Sequence, residues 1–472
     1  MCASETVIKL VGKLQMPSSN NLWPFVLGNW ILPVGDLFLG QGMMRHFRYL
    51  EKAQWWDTER IHKERDAKLQ KLIKVAYREV PFYRELMSSA NVQPEDVKSP
   101  ADLQKIPVAT KEMFLENHPH KTVRPTNQKH YEARTSGSTG KNFTVVEDAE
   151  TAGTYRACTL MALQWSGWNL GVPHLQTGMT LNRSTDRKLK DSLMSCHYYS
   201  AFDLTDKNLD RWLETIERNK LRHVFGYPGS IYCLARRAIQ KGFSETLKSV
   251  VTWGDTLYHH YRETMEKAFK VRVYDTYGCG EGIQISAQCG IGSNYHIHAL
   301  DTIVEFLNDD GVPATPGETA NLIITRLHPG PMPLIRYRIG DIGISSAQNK
   351  CECGRGFDLM HSIQGRDTDI VYTPDGNKLI VHFFTGVLEH FHEVDSFQVV
   401  QDSIDSILIR MVLNVDLTKE LHNRIVKSLQ EKGATGFRID LETVSDIPIS
   451  ATGKRRFIVS NVSKSNITSN VV

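Results

Sequence analysis

With 472 residues, 41 % of them hydrophobic and 23 % charged, the chain has ordinary globular composition and room for two or three domains around a large core. A net charge of +3, with Lys and Arg spread along the sequence, excludes the dense basic patch of a nucleic-acid binder. Eight cysteines without the close, regular spacing of a secreted disulfide scaffold point to a reducing, cytoplasmic setting.

Residues 21–39 are apolar, but Pro24, Asn29, Pro33 and Asp36 interrupt them well short of the roughly 18 uninterrupted apolar residues that a bilayer span needs. Lys9 and Lys13 precede this segment as in a signal peptide, yet no small-residue cleavage site follows cleanly. The segment is expected to pack on the body of the protein, with peripheral association of residues 22–44 at a membrane surface as the competing reading. Within 57–87, Leu69, Leu72, Ile73 and Ala76 recur at helical spacing among charges, which predicts a surface helix that ends before Pro81.

The stretch Thr135-Ser136-Gly137-Ser138-Thr139-Gly140-Lys141 gathers glycines, hydroxyls and a cation into a donor-rich loop suited to phosphate. It is not a Walker loop, which needs glycine five residues before Gly140 and Ser or Thr after Lys141, where Thr135 and Asn142 stand. Alone, such a cluster reads equally well as a turn. From 136 to 338, short β-branched runs at 222–226, 249–254, 271–275, 302–306 and 322–326 alternate with helical stretches, which predicts an α/β fold of layered sheets and helices. Cys351-Glu352-Cys353 forms a C-x-C turn, and Cys289 is followed seven residues later by His296. Three thiols and an imidazole are a tetrahedral set of the kind structural zinc favours, against the plainer reading of reduced, packed cysteines. His298 rivals His296, and Cys279 is read as filling its turn. His390 and His392 are placed on a helix, where an i, i+2 pair shares no face.

Gly365-Arg366-Asp367-Thr368-Asp369 precedes a change of texture, and the domain boundary is placed there, giving residues 1–365 and a small α+β domain at 366–472. In the latter, a strand at 406–412, a helix from Leu417 and a strand at 437–441 are expected. Leu417, Leu421, Ile425 and Leu429 repeat every four residues, with Asp416 as N-cap and Gly433 as the stop. The tail after Lys464 is expected to fray.

Four segments in fixed order carry a resemblance: the 135–141 loop, Tyr277-Gly278-Cys279-Gly280-Glu281, Arg336-Tyr337-Arg338-Ile339-Gly340-Asp341, and Ser450-Ala451-Thr452-Gly453-Lys454. Together they resemble the adenylate-forming, AMP-binding ligases, in the branch of phenylacetate-CoA ligases, CapK-like proteins and coenzyme F390 synthetases. The likeness runs from Gln54-Trp55-Trp56 and Val80-Pro81-Phe82-Tyr83 through Lys454. It implies a large N-terminal adenylation domain and a small mobile C-terminal domain that rotates between an adenylating and a thioester-forming pose. It also implies ATP, Mg2+ and coenzyme A as cofactors and acceptor, and a small carboxylic acid, aryl or arylacetic, as substrate.

The roles it implies follow residue by residue. Ser136, Gly137, Ser138, Thr139, Gly140 and Lys141 hold the β- and γ-phosphates; Gly254 and Asp255 line the base, Asp255 standing where the family more often has Glu. Tyr277 and Gly278 lie at the adenine, Glu281 binds Mg2+, Asp341 takes the ribose hydroxyls, and Arg366 reaches the ribose or anchors the linker. Lys454 is the catalytic cation between substrate carboxylate and α-phosphate. Arg336 and Arg338 are left structural. Some members of this branch look similar at the cysteine cluster and hold zinc, so the resemblance implies a structural zinc there. Thr368 stands where the family has Asp or Lys, which bears on the second half-reaction. Tyr227, Trp253 and Tyr274 are candidates for an aromatic acid pocket. The competing readings are adenylation with an amine, sugar or cofactor as acceptor, and a nucleotide-binding scaffold without turnover. The sequence fixes no oligomeric state and is compatible with a homodimer.

Overall fold

The computed structural model describes residues 22–125, 129–135, 143–178, 183–201, 204–366, 370–374, 378–388, 390–436, 438–447 and 457–462. Its first helix, α1 (Leu22–Leu39), contains a π turn at Leu27–Ile31 and stops at Gly40, whose φ of 63° is left-handed. Asp36 then caps α2 (Met43–Ala53), accepting from the Met43 and Met44 amides at 2.9 Å each. α1 packs on the body by one side, where Leu27 is its one fully buried residue, and leaves its other side exposed.

The predicted surface helix is α3 (Thr58–Glu79), capped by Asp57 and seated on Leu69, Leu72, Ile73 and Ala76, all fully buried. Val80 turns extended because Pro81 opens α4 (Pro81–Ser89). After α5 (Lys111–Asn117), β1 (His130–Thr135) and β2 (Phe143–Asp148) pair as an antiparallel ribbon. The phosphate-loop candidates 136–141 fall between these strands and lie outside the described residues.

Asp148 caps α6 (Ala149–Trp165), its carboxylate accepting from the Thr151 amide at 2.8 Å. An alternating run follows: β3 (His174–Gly178), α7 (Thr185–Leu193), β4 (Cys196–Ser200), α8 (Asp206–Arg218), β5 (His223–Gly226), α9 (Pro228–Lys241), β6 (Ser249–Thr252), α10 (His259–Phe269) and β7 (Val273–Cys279). These strands pair in parallel, and the sheet continues antiparallel through β8 (Ile283–Gln288), β9 (Tyr295–Ile297), β10 (Thr302–Leu307), β11 (Thr319–Arg326), β12 (Tyr337–Ser345) and β13 (Leu359–Arg366). The spatial order is β10-β11-β12-β13-β9-β8-β7-β6-β5-β3-β4. One face of the parallel half is covered by α8, α9 and α10 through Trp212, Ile231 and Phe269 packed on Val224, Val250 and Val273. Near-continuous burial of these short strands is what two-sided coverage demands.

The remainder forms a separate unit: β14 (Ile370–Tyr372) and β15 (Lys378–Ile380) as a ribbon, α11 (Val381–Leu388), β16 (Val394–Ser403), β17 (Ser406–Leu413), α12 (Lys419–Lys432), β18 (Arg438–Thr443) and β19 (Ile458–Ser460). Its sheet runs β18-β17-β16-β19. Leu421, Ile425 and Leu429 of α12 are buried against it, a contribution of about 2 kcal/mol each. The N-cap is Thr418, not Asp416: its hydroxyl accepts from the Leu421 amide at 3.2 Å, while the Asp416 carbonyl is taken by the Thr418 amide. Gly433 ends the helix as expected. His390 and His392 follow a helix that has already stopped at Leu388 rather than lying on one. The unit leans on the large domain where Phe457 meets Tyr258, ring centroids 4.5 Å apart.

Candidate nucleotide and acid site

In β7 the pairing with β8 shifts register between Tyr277 and Gly278, and the strand ends at Cys279, where the chain turns toward β8. A Cβ on Gly278 would lie 2.9 Å from the Ile283 carbonyl, so the tight hairpin requires glycine. Tyr277 is buried among core residues, yet its hydroxyl donates to Oδ2 of Asp341 at 2.7 Å. Asp341, on β12, is in register with Arg366 at the end of β13. Asp341 thus joins residues from separate motifs, by a hydrogen bond to Tyr277 and by backbone pairing with Arg366.

Glu281 sits on the turn after β7 and is buried; its Oε1 accepts from the Tyr337 hydroxyl at 3.3 Å. Arg326 braces the turn by donating to the Glu281 carbonyl at 3.3 Å and the Met332 carbonyl at 2.6 Å. Glu147, at the end of β2, closes over Gly282: a Cβ there would fall 1.7 Å from Glu147 Oε1. That oxygen is buried without a hydrogen-bond partner and stands 3.9 Å from Arg326. Burial raises the Glu147 carboxyl despite the opposing pull of Arg326 and Arg156. The sequence reading passed over Glu147 and Arg326, which stand outside the four motifs.

Beside this hairpin lie the C-terminal ends of the parallel strands, the usual ligand crevice of an α/β sheet, where glycines let side chains pack directly on the strand ends. Gly226 (φ 150°) ends β5, and a Cβ there would meet Thr177 Oγ1 at 1.8 Å. That hydroxyl also bonds Ser230 Oγ at 2.8 Å and accepts from the Tyr227 amide at 3.2 Å. Tyr227 lies over Gly254 (φ 77°), where a Cβ would come within 2.6 Å of its ring. Burial first, then neighbouring Tyr155, Tyr198 and Asp255, push the Tyr227 phenol up to about 12. Tyr198 covers Gly178 and carries Arg183 over its ring at 3.8 Å. Asp255 is exposed, its carboxylate accepting from the Thr256 amide. Of the three aromatic candidates, Tyr227 alone faces this crevice; Trp253 and Tyr274 pack on Leu163, Trp168, Phe225 and Val251. Tyr198 and Tyr155 neighbour Tyr227 instead, and only the glycine under Tyr198 at the end of β3 hinted at either.

Arg336 is structural as expected, paired with Glu305 at 2.9 Å, and Arg338 donates to Asn321 Oδ1 at 3.0 Å. Lys454 and the 136–141 loop lie outside the described residues. Phe457 follows Lys454 by three positions and packs on Tyr258, four positions after Gly254.

The cysteine cluster assembles from distant segments. Cys289, His296, Cys351 and Cys353 present ligand atoms that all lie within 4.8 Å of one another. Cys289 Sγ is 3.7 Å from Cys351 Sγ, and Cys353 Sγ is 3.3 Å from His296 Nε2. A tetrahedron with zinc–sulfur bonds of about 2.3 Å has sulfur–sulfur edges of roughly 3.8 Å, so the set fits the ion. His298, the rival ligand, is stacked on Trp165 instead. A second group, His46, Cys158 and Asp301, is closed on itself: His46 bonds Asp301 at 2.8 Å and the Cys158 thiol donates to the other oxygen at 3.3 Å. At Asp301, burial is outweighed by His46 and Lys68, which hold the carboxyl well below its ordinary range.

The CapK C-terminal domain family matches residues 371–461. Protein CapK of Staphylococcus aureus is 21% identical over 463 residues, covering 93% of this chain and 98% of its own length. Phenylacetate-coenzyme A ligase of Thermus thermophilus is 23% identical over 339 residues, 68% of this chain and 74% of that protein. Among solved structures, 2-hydroxyisobutyryl-CoA ligase in its postadenylation state superimposes with a TM-score of 0.70 at 17% identity, over 89% of this chain and 93% of that one. The same protein in its thioesterification state gives 0.58. The chain is thus similar in sequence to CapK along most of its length and to phenylacetate-CoA ligases over about two thirds of it, shares the fold of 2-hydroxyisobutyryl-CoA ligase, and matches the CapK C-terminal domain at residues 371–461.

Proposed function

We propose that the chain is an ATP-dependent acid ligase. A carboxylate oxygen of the substrate forms a bond to the α-phosphorus of ATP as the bond to the β-phosphate oxygen breaks, giving an acyl-adenylate and pyrophosphate. The thiolate of coenzyme A then attacks the acyl carbonyl and AMP departs with the electron pair. The observation that carries this reading is the 2.7 Å bond between Tyr277 and Asp341 beside Glu281 and the glycine-lined strand ends. It supplies a carboxylate for ribose, a buried aromatic for the base and an acid crevice in one place.

In this reading Ser136–Lys141 surround the β- and γ-phosphates, and Lys454 binds the substrate carboxylate and the α-phosphate together, stabilising charge that develops in the transition state. Glu281, buried and oriented by Tyr337, fits the magnesium ion, which when bound neutralises phosphate charge. Gly254, beneath the Tyr227 ring, and Gly278, in the tight hairpin, let the backbone at the base-lining segments pack more closely than any side chain would allow. Three phenols, Tyr155, Tyr198 and Tyr227, favour a flat aryl or arylacetic acid that stacks on them. Cys289, His296, Cys351 and Cys353 hold a structural zinc that pins the β8–β9 turn to the 351–353 turn.

The test is product analysis by mass spectrometry. ATP, magnesium and an arylacetic acid should give AMP and, with coenzyme A present, the acyl thioester. An acyl-adenylate that passes only to an amine or a sugar would move the acceptor assignment and leave the first half-reaction standing.

A further inference from the structure

α1 gathers the largest run of exposed apolar side chains among the described residues. Leu22, Trp23, Trp30, Val34, Leu37, Phe38 and Leu39 are all exposed, Leu37 by 81% and Phe38 by 84%. Soluble surfaces scatter such residues singly; seven on one 18-residue helix mark an interaction face. The helix is fixed from its other side: Leu27 is buried, Trp23 Nε1 donates to the Leu193 carbonyl at 3.1 Å, and Arg48 reaches the Gly28 carbonyl at 3.2 Å. Its one charged residue, Asp36, is taken up by the α2 amides.

The rim chooses the partner. On one flank α2 exposes Arg45, Arg48 and Lys52; on the other, α7 exposes Arg187, Lys188 and Lys190 around an exposed Leu189. The acids nearby are largely occupied, Asp191 by Arg183 and Glu150 by Arg45 at 3.6 Å. A second copy would set one basic rim against another, whereas an anionic lipid surface complements it. Tryptophan and phenylalanine on the apolar face with cations beside it are the composition of a helix lying in the headgroup region. We propose that α1 seats the protein on an anionic bilayer, lying in the interface rather than crossing it. The Gln41 side chain, between α1 and α2, accepts from Arg156 at 2.7 Å, next to Tyr155. A bilayer under α1 therefore lies beside the helix that walls the acid crevice.

Co-sedimentation of the full chain with vesicles of phosphatidylcholine alone, and of phosphatidylcholine with phosphatidylglycerol, tests this. Binding is expected to the mixed vesicles, to weaken as salt rises, and to fall at least ~10-fold in Leu37→Glu/Phe38→Glu and in Arg187→Glu/Lys188→Glu. All four side chains are exposed, so the melting temperatures should match the parent. Wild type that stays in the supernatant with both vesicles overturns the proposal. So does a soluble dimer that Leu37→Glu/Phe38→Glu dissociates, which makes a second copy the occupant, or binding that appears only after residues 1–21 are removed, which makes that segment the cover.

Discussion

Replacing Tyr277 by phenylalanine keeps its ring in the core and deletes only the hydroxyl that donates to Asp341. A hydrogen bond to an ionised group contributes about 1.5–3 kcal/mol, and the half-buried position of Asp341 puts this one near the lower figure. If the hydroxyl orients Asp341 toward the ribose, Tyr277→Phe should weaken AMP binding roughly tenfold, the equivalent of about 1.4 kcal/mol. Titration calorimetry with AMP gives the affinity, and thermal unfolding reports whether the fold has changed. Asp341→Asn should also weaken binding, and the double variant should fall short of the product of the two effects, because both remove the same contact. Unchanged AMP affinity in Tyr277→Phe, or strict additivity in the double variant, would refute the reasoning.

Lys454→Ala should lower adenylation at least ~100-fold with ATP binding retained, as loss of one charge-stabilising group does; near-normal adenylation would remove Lys454 from the mechanism. Gly226→Ala drives a methyl into Thr177 Oγ1 and forces a glycine-type φ on alanine, so urea unfolding should show a loss of about 2 kcal/mol or more. Cys351→Ser should abolish stoichiometric zinc, measured by atomic emission, and cost at least ~2 kcal/mol of stability; a parent protein that purifies without zinc would refute the site. Burial depresses His174 and His223 to about 4, so both are neutral in the fold. The unfolded chain binds those protons first, so this stability is present above about pH 6.5 and is lost as pH falls toward 4, by roughly 3 kcal/mol per histidine at most. Stability against pH should flatten in that window in His174→Gln.

Three strands of the parallel half, at 223–226, 249–252 and 273–279, were legible as short β-branched runs, whereas those at 174–178 and 196–200 were not. α12 was legible through its four-residue stripe, although Thr418 took the cap expected of Asp416. The insertion of β9 between β8 and β13 was not, since long-range pairing leaves no local periodicity. Within the site, Tyr277, Asp341 and Arg366 were named from separate motifs, but the hydrogen bond from Tyr277 to Asp341 and the pairing of Asp341 with Arg366 are properties of the tertiary fold. Glu147 was missed because a lone glutamate at a strand end has no pattern; only Gly282, which must be glycine to admit it, records its place. Residues 22–39 were legible as an apolar helix that packs on the body, but hydropathy counts apolar residues and cannot say which of them a helix turns outward.

The most direct test of the central claim is exchange of radiolabelled pyrophosphate into ATP, with magnesium and without any acceptor, across aryl, arylacetic, fatty and amino acids. Reversible adenylation predicts label in ATP that depends on one class of acid, aryl or arylacetic. ATP binding with no exchange for any acid would contradict the ligase assignment and leave a nucleotide-binding scaffold.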